Sequence, residues 1–287
     1  MRLSASLAVA ATVALVCPAW AAEPEKLWEV GGLQEPESVL PDGDVLYVSN
    51  VVGGFRDKDG VGFISKVSPD GRMLELEWVS GLNAPKGLGK VGGTLYVADI
   101  DELVAIDVAA GKVAKRYPAK GAVFLNDVAA APDGRVFVSD TGTNTIWKLE
   151  GGVFAPWVEG EALKGPNGLL VEVDRLLVAG IGRTPKEGDA GTPANLIAVP
   201  FATKTPKDLG DGSPVGFLDG LARTADGVYL ATDYVRGPLY EIKSDGSFRT
   251  LIDGFGPGTA DLAYDAGSKI AFIPLSRDKK LVAYRLP

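Results

Sequence analysis

Histidine is absent from all 287 residues, and the single cysteine, Cys17, falls within an N-terminal stretch that reads as a leader. The missing histidine excludes Ser-His-Asp and Cys-His catalysis, and the two absences together remove the usual zinc and copper ligands. Any catalysis must therefore run on carboxylates, amides, Lys, Arg, Tyr or an oxygen-bound metal. No disulfide can staple the mature chain, so its core alone must hold the fold. Helical signals are nearly missing, and no apolar run after the leader approaches the length of a bilayer span. A basic stripe is missing too. With 37 acidic against 29 basic residues the net charge is −8, which argues against a nucleic-acid partner.

What is present begins with that leader. Arg2 supplies a positive start, residues 7–16 an apolar run of signal-peptide length, and Ala19-Trp20-Ala21 an A-x-A cleavage site. The expected organisation is a signal peptide over 1–21 and a single domain over 22–287. The product would be exported to the periplasm or beyond, with no membrane attachment after cleavage. A lipoprotein cut before Cys17 is disfavoured because Val16 is bulkier than the small residue expected there.

The rest of the chain is a repeat. One phrase recurs: a polar residue, a small one, an apolar pair, a turn, then a β-rich run. Its copies are PESVLPDGDVLYVSN from Pro36, PKGLGKVGGTLYVAD from Pro85, LNDVAAAPDGRVFVSD from Leu125, PNGLLVEVDRLLVAG from Pro166, LDGLARTADGVYLATD from Leu218 and the degenerate TADLAYDAGSKIAFIP from Thr259. Their polar starts, Glu37, Lys86, Asn126, Asn167, Asp219 and Ala260, are spaced by 40 to 52 residues, which suits one four-stranded blade each. The predicted fold is an all-β, six-bladed propeller. Its sixth repeat runs out of chain before a fourth strand, and the orphan KLWEVGG from Lys26 is expected to complete that blade and hide its edge. Two insertions, 51–61 and 181–194, fall between the second and third strands of their blades.

In such a fold the starts of the innermost strands face one another across the axis, and both insertions lie on that same face as candidate lids. Glu37, Asn126, Asn167 and Asp219 then form a ring of side-chain oxygens of the kind calcium takes. These residue types also finish turns before strands, which is their commoner role. Lys86 opposes an ion, since an ammonium about 5 Å from a divalent cation costs roughly 6 to 7 kcal/mol at an effective dielectric near 20. It could instead pair with Glu37 or Asp219 and replace the ion. Arg183 and Lys186 on the second insertion could meet an anionic substrate, although solvated loop charges are commoner. For Asp99, Asp140 and Asp233, at second-strand ends, the simpler expectation is capping of the next turn; for Trp78, Trp147 and Trp157 it is packing between blades.

These phrases resemble the family of senescence marker protein (regucalcin), gluconolactonase and luciferin-regenerating enzyme, and more distantly the paraoxonase-type propellers. The likeness covers the mature chain at the level of repeats. Glu37 in PESVL loosely matches the family's first-blade E-G-P-x-W phrase, Asn126-Asp127-Val128 its N-D-G phrase, and Asn167-Gly168-Leu169 and Asp219-Gly220-Leu221 its later N-G-L and D-G phrases. The resemblance implies that Glu37, Asn167 and Asp219 bind a divalent ion, with calcium the expected one, and that Asn126 lies nearby on substrate or metal. Two departures count. Phe124 stands where sugar-lactonase members carry a substrate-binding Arg, and the Pro and Trp of the first phrase are lost.

The function expected from these residues is a secreted, metal-dependent hydrolase of a small lactone or ester, less polar than a sugar lactone. Asp219 would act on the attacking water, and Asn126, Phe124, Lys86 and Arg183 would contact the substrate. The alternative is a non-catalytic exported propeller that binds a small ligand or a protein, with Lys86 in place of the metal.

Overall fold

The computed structural model describes residues 23–287; the expected leader and its cleavage site lie outside them. Six four-stranded antiparallel sheets are arranged as the blades of a propeller, and one three-residue 3-10 turn, Glu161–Leu163, is the helical structure among the described residues. The innermost strands are Pro36–Asp42, Pro85–Val91, Leu125–Ala130, Pro166–Val171, Leu218–Arg223 and the short Ala263–Asp265. Each touches the inner strands of the blades on either side, the sixth touching the first, so the ring closes around a central channel. As the orphan strand predicts, Glu25–Gly31 pairs antiparallel with Lys280–Arg285, setting Val30 opposite Leu281 and completing blade six. The end of one sheet is thus covered by the start of the chain.

Between blades lies the core. Each interface buries the alternate side chains of two neighbouring sheets, for instance Tyr47, Leu82, Val97 and Ile106 between blades one and two. Each large apolar side chain so buried contributes roughly 1.5 to 3 kcal/mol. The tryptophans do what packing expects. Trp78, Trp147 and Trp157 pack into the clusters between blades, Trp78 tilted 5.0 Å from Tyr47, Trp157 edge-on at 5.0 Å to Phe137 and Trp147 5.4 Å from Phe154 of their own blades.

Five of the six inner strands share one irregularity. Pairing shifts register between Pro36 and Val39, Pro85 and Leu88, Leu125 and Val128, Pro166 and Leu169, and Leu218 and Leu221. Such a bulge leaves two residues out of the ladder and re-aims their side chains. The two released in each blade are the polar start and its small or acidic follower. Their backbone is held by other means: Ser49, Ser139 and Thr232 hydroxyls accept from the N–H groups of Ser38, Asp127 and Gly220. Asp99, Asp140 and Asp233 behave as turn caps. Asp99 accepts from the N–H groups of Asn83 and Ala84, Asp140 from Val123 and Phe124, and Asp233 from Phe217 and Arg236. Each fixes the loop that delivers an inner strand to the axis.

Candidate functional site

Where the inner strands begin, they line a cavity of about 640 Å³. Glu37, Asn126, Asn167 and Asp219 form its floor, and both insertions reach it, the first through residues 54–57 and the second through 181–184. The repeat therefore brings the four expected oxygen-bearing residues together, on the face where the insertions were expected. The cavity is of a size that holds small organic ligands.

The floor is rich in oxygen and poor in partners. Glu37 Oε2 and Asn167 Oδ1 are sealed from solvent and make no hydrogen bond among the described residues. The Asn126 side-chain nitrogen donates to Thr141 Oγ1 at 3.2 Å, and that hydroxyl donates onward to the Pro166 carbonyl at 2.7 Å. A buried, unsatisfied polar atom costs about 1 to 3 kcal/mol, so two within one floor call for a ligand.

Two further carboxylates lie beside these. The residue after each polar start is Ser38, Gly87, Asp127, Gly168, Gly220 or Asp261, a pattern of two small residues and an aspartate repeated twice around the ring. Close approach explains the small ones: a Cβ at Gly168 would lie 2.1 Å from the Asp219 carbonyl oxygen. The aspartates tie neighbouring blades. Asp127 accepts from the Leu169 N–H at 2.6 Å, and Asp261 accepts from the Ser38 hydroxyl and, at 2.6 Å, from the Leu262 N–H.

Four buried carboxylates thus share one channel, and burial disfavours the charge of each. Burial pushes Glu37 well above the ordinary carboxylate range, with the charges of Asp219 and Asp261 adding to it. Asp219 is raised to about 8 by burial and then by Asp127, against the pull of the Asn167 amide. Asp127 reaches about 6 by burial, its backbone donors holding it down, and burial together with Asp127 carries Asp261 well above its usual value.

Lys86 departs from expectation. It is completely buried and stands behind the cavity wall rather than in it. Its ammonium donates to the carbonyls of Phe55 at 3.0 Å and Ala84 at 2.9 Å, and lies 4.6 Å from the centre of the Phe124 ring. It makes no ion pair with Glu37 or Asp219, so neither substrate contact nor replacement of an ion describes it. Burial lowers its pKa to about 8, with Glu37 and Asp99 pulling it back up. What it holds is the first insertion. That segment turns over the channel through Val52, a β-branched residue at φ 57, and Lys58 pairs with Asp101 of blade two. Phe55 meets Tyr234 of blade five edge-on, with ring centres 6.4 Å apart.

Phe124 lines the cavity. Arg183 also lines it, but its guanidinium is bonded to Asp189 and Thr192 within its own insertion. Sequence reasoning missed Phe55 and Arg56, which have no equivalents in the repeat, and Tyr234, which follows its second strand as Thr141 and Ile181 follow theirs. It noted that the follower position is always small or Asp, but gave Asp127 and Asp261 no role.

No family model matches the chain, and no curated protein does. Solved structures do. Virginiamycin B lyase from Staphylococcus aureus aligns with a TM-score of 0.61 at 11% identity, over 92% of this chain and 100% of that one. A variant of that lyase with quinupristin, described as catalytically inactive after a histidine-to-alanine change, gives 0.60 at 13% over the same shares. A gluconolactonase from Xanthomonas campestris gives 0.57 at 16% identity, over 95% of this chain and 99% of that one. At these identities the likeness is one of fold.

Proposed function

We propose that the chain is an exported hydrolase of a small lactone or ester, dependent on a divalent cation held at the channel floor. The observation that carries this reading is the pair of orphaned oxygens, Glu37 Oε2 and Asn167 Oδ1, beside an Asp219 whose charge is disfavoured without a counter-ion. A divalent, oxygen-preferring cation answers both needs. Glu37, Asn167 and Asp219 would hold it, with Asn126 nearby. No three carboxylates among the described residues converge as a ready ligand cluster, so amide oxygens and water must complete the shell. Calcium, which tolerates such mixed shells, fits that donor set.

A cation so placed would polarise an ester carbonyl and lower the pKa of a neighbouring water. The chain's own part is positional and basic. Asp219 orients the attacking water and accepts its proton, while Asn126 and Asn167 align the carbonyl. Phe55, Phe124 and Ile181 give part of the cavity wall an apolar surface, with Phe124 standing where a polar contact to a sugar lactone was expected. A less polar ring is the better guest. The gluconolactonase among the structural neighbours lends support at the level of fold. The lyase lends less, because the inactive variant of that enzyme lacks a histidine and this chain has none. The binding-protein alternative drew on Lys86 and Phe124; Phe124 lines the cavity, while Lys86 bonds to two carbonyls rather than to Glu37 or Asp219.

The test is thermal. Calcium should raise the melting temperature in a saturable way, and a chelator should reverse it. Asp219→Asn should remove that response and at least a hundredfold of the activity on an aromatic lactone such as dihydrocoumarin. A wild-type melting curve indifferent to calcium and chelator, with no metal by elemental analysis, would sink the proposal.

A further inference from the structure

Several cations on this face of the propeller already have partners. Arg183 is bonded to Asp189, Lys58 to Asp101, and Lys164 to Asp208, while Lys86 is bonded to two carbonyls. Arg56 is different. It lines the cavity from the first insertion, and among the described residues no carboxylate lies within ion-pair distance of it. Its acidic neighbour Asp57 accepts instead from the Gly54 N–H at 3.1 Å. The Arg56 guanidinium rests 4.9 Å from the centre of the Phe124 ring, an arrangement that leaves its planar set of donors available for hydrogen bonding. The segment that presents it is held in place by the Lys86 bond to the Phe55 carbonyl and by the contact of Phe55 with Tyr234.

We propose that Arg56 is a specificity-determining residue that receives a carboxylate on the ligand, so that the natural guest is an apolar, ring-bearing lactone or ester with a free acid group. This rests on the reading of the cavity as a substrate pocket but not on hydrolysis. The charge distribution sets the orientation. The floor is given over to the reacting carbonyl, whereas the roof offers a guanidinium with no carboxylate partner among the described residues, suited to bidentate contact with an acid. Between them Phe55, Phe124, Ile181 and Tyr234 supply an apolar middle. The ligand would lie with its acid at Arg56 and its reactive carbonyl toward Asp219.

The experiment compares 2-naphthoate with neutral 2-naphthamide by calorimetry, on the wild type, Arg56→Gln and Arg183→Gln, in chelator and again in calcium. The wild type should prefer naphthoate at least tenfold in both conditions. Arg56→Gln should lose that preference while keeping its naphthamide affinity within twofold and its melting temperature unchanged. Arg183→Gln should keep the preference. Absence of naphthoate binding, equal binding of the two ligands by the wild type, or a preference that survives Arg56→Gln would each overturn the proposal. A preference seen only in calcium would do so too, because the floor would then be taking the acid. Failure of the hydrolase reading appears separately, as a melting curve indifferent to calcium.

Discussion

The floor and the roof of the cavity are built on opposite principles. The floor is assembled from equivalent positions of a repeat. A bulge at the start of each of five inner strands frees the same two positions from the ladder, and in four of the five the first of them lines the cavity, so chemistry accumulates by symmetry. The roof is assembled from insertions that have no counterparts, and its contents follow from where a single loop happens to be tied. The floor gathers negative charge that burial disfavours, and the roof is held by a positive charge that burial also disfavours. In this molecule repetition gathers oxygen-bearing side chains on the floor, while the departure from repetition builds the wall above them.

The two regions should oppose each other in the pH dependence of stability, and this is the largest effect expected. For the floor, the folded pKa values lie above the ordinary carboxylate range, about 6 for Asp127 and about 8 for Asp219. Between pH 4 and 8 the folded state then binds more protons than the unfolded chain, so stability falls as pH rises. For Lys86 the folded pKa, about 8, lies below the ordinary 10.5. Between those values the unfolded chain binds more protons, so stability rises with pH. In chelator, denaturant midpoints should therefore pass through a minimum near pH 8, several kcal/mol deep on the acid side, and calcium should fill it in. Lys86→Met should remove the alkaline rise. At pH 7 it should also cost about 2 kcal/mol, because the buried Ala84 carbonyl and the partly buried Phe55 carbonyl lose their donor. A flat profile in chelator would mean that the floor's charges are not confined as described.

The comparison can be sharpened on the floor without touching a charge. Gly168 has room for no side chain, its Cβ position lying 2.1 Å from the Asp219 carbonyl. Gly168→Ala should push blades four and five apart, cost roughly 3 kcal/mol, and weaken the calcium-induced rise in melting temperature. Urea unfolding with and without calcium measures both. Equal calcium responses in variant and wild type would separate the floor's geometry from ion binding.

How far the sequence could be read follows the same division. Glu37, Asn126, Asn167 and Asp219 were legible because one turn of strand repeats six times, and a repeat that closes into a ring turns sequence equivalence into convergence. The closing strand was legible because the sixth repeat lacked one. Lys86 misled because its place in the repeat implied a place in the ring. A four-carbon stem let its ammonium leave the axis for two carbonyls, one of them on the insertion, and nothing in the local sequence announces that. Arg56 and Phe55 were invisible for a related reason: a loop tied down by tertiary contacts carries no periodicity to read.

The smallest expected effect decides whether the roof is one device or two. Both insertions were equal candidates for a lid, and both carry an arginine on the cavity wall. The second, however, is bonded to itself: Arg183 pairs with Asp189, and the backbones of Arg183 and Thr192 bridge across it. The pair is half exposed, the setting in which an ion pair contributes between nothing and about 1 kcal/mol. Arg183→Gln should therefore shift the melting temperature by no more than about 2 °C, since a domain of this size moves a few degrees per kcal/mol. It should also leave the kcat/KM for an anionic lactone within twofold of wild type, because the guanidinium is already neutralised. Arg56→Gln should change the same ratio at least tenfold with equally little effect on melting. If the two variants instead lose activity together, Arg183 must leave Asp189 when substrate arrives. The second insertion would then be as much a part of the recognition surface as the first.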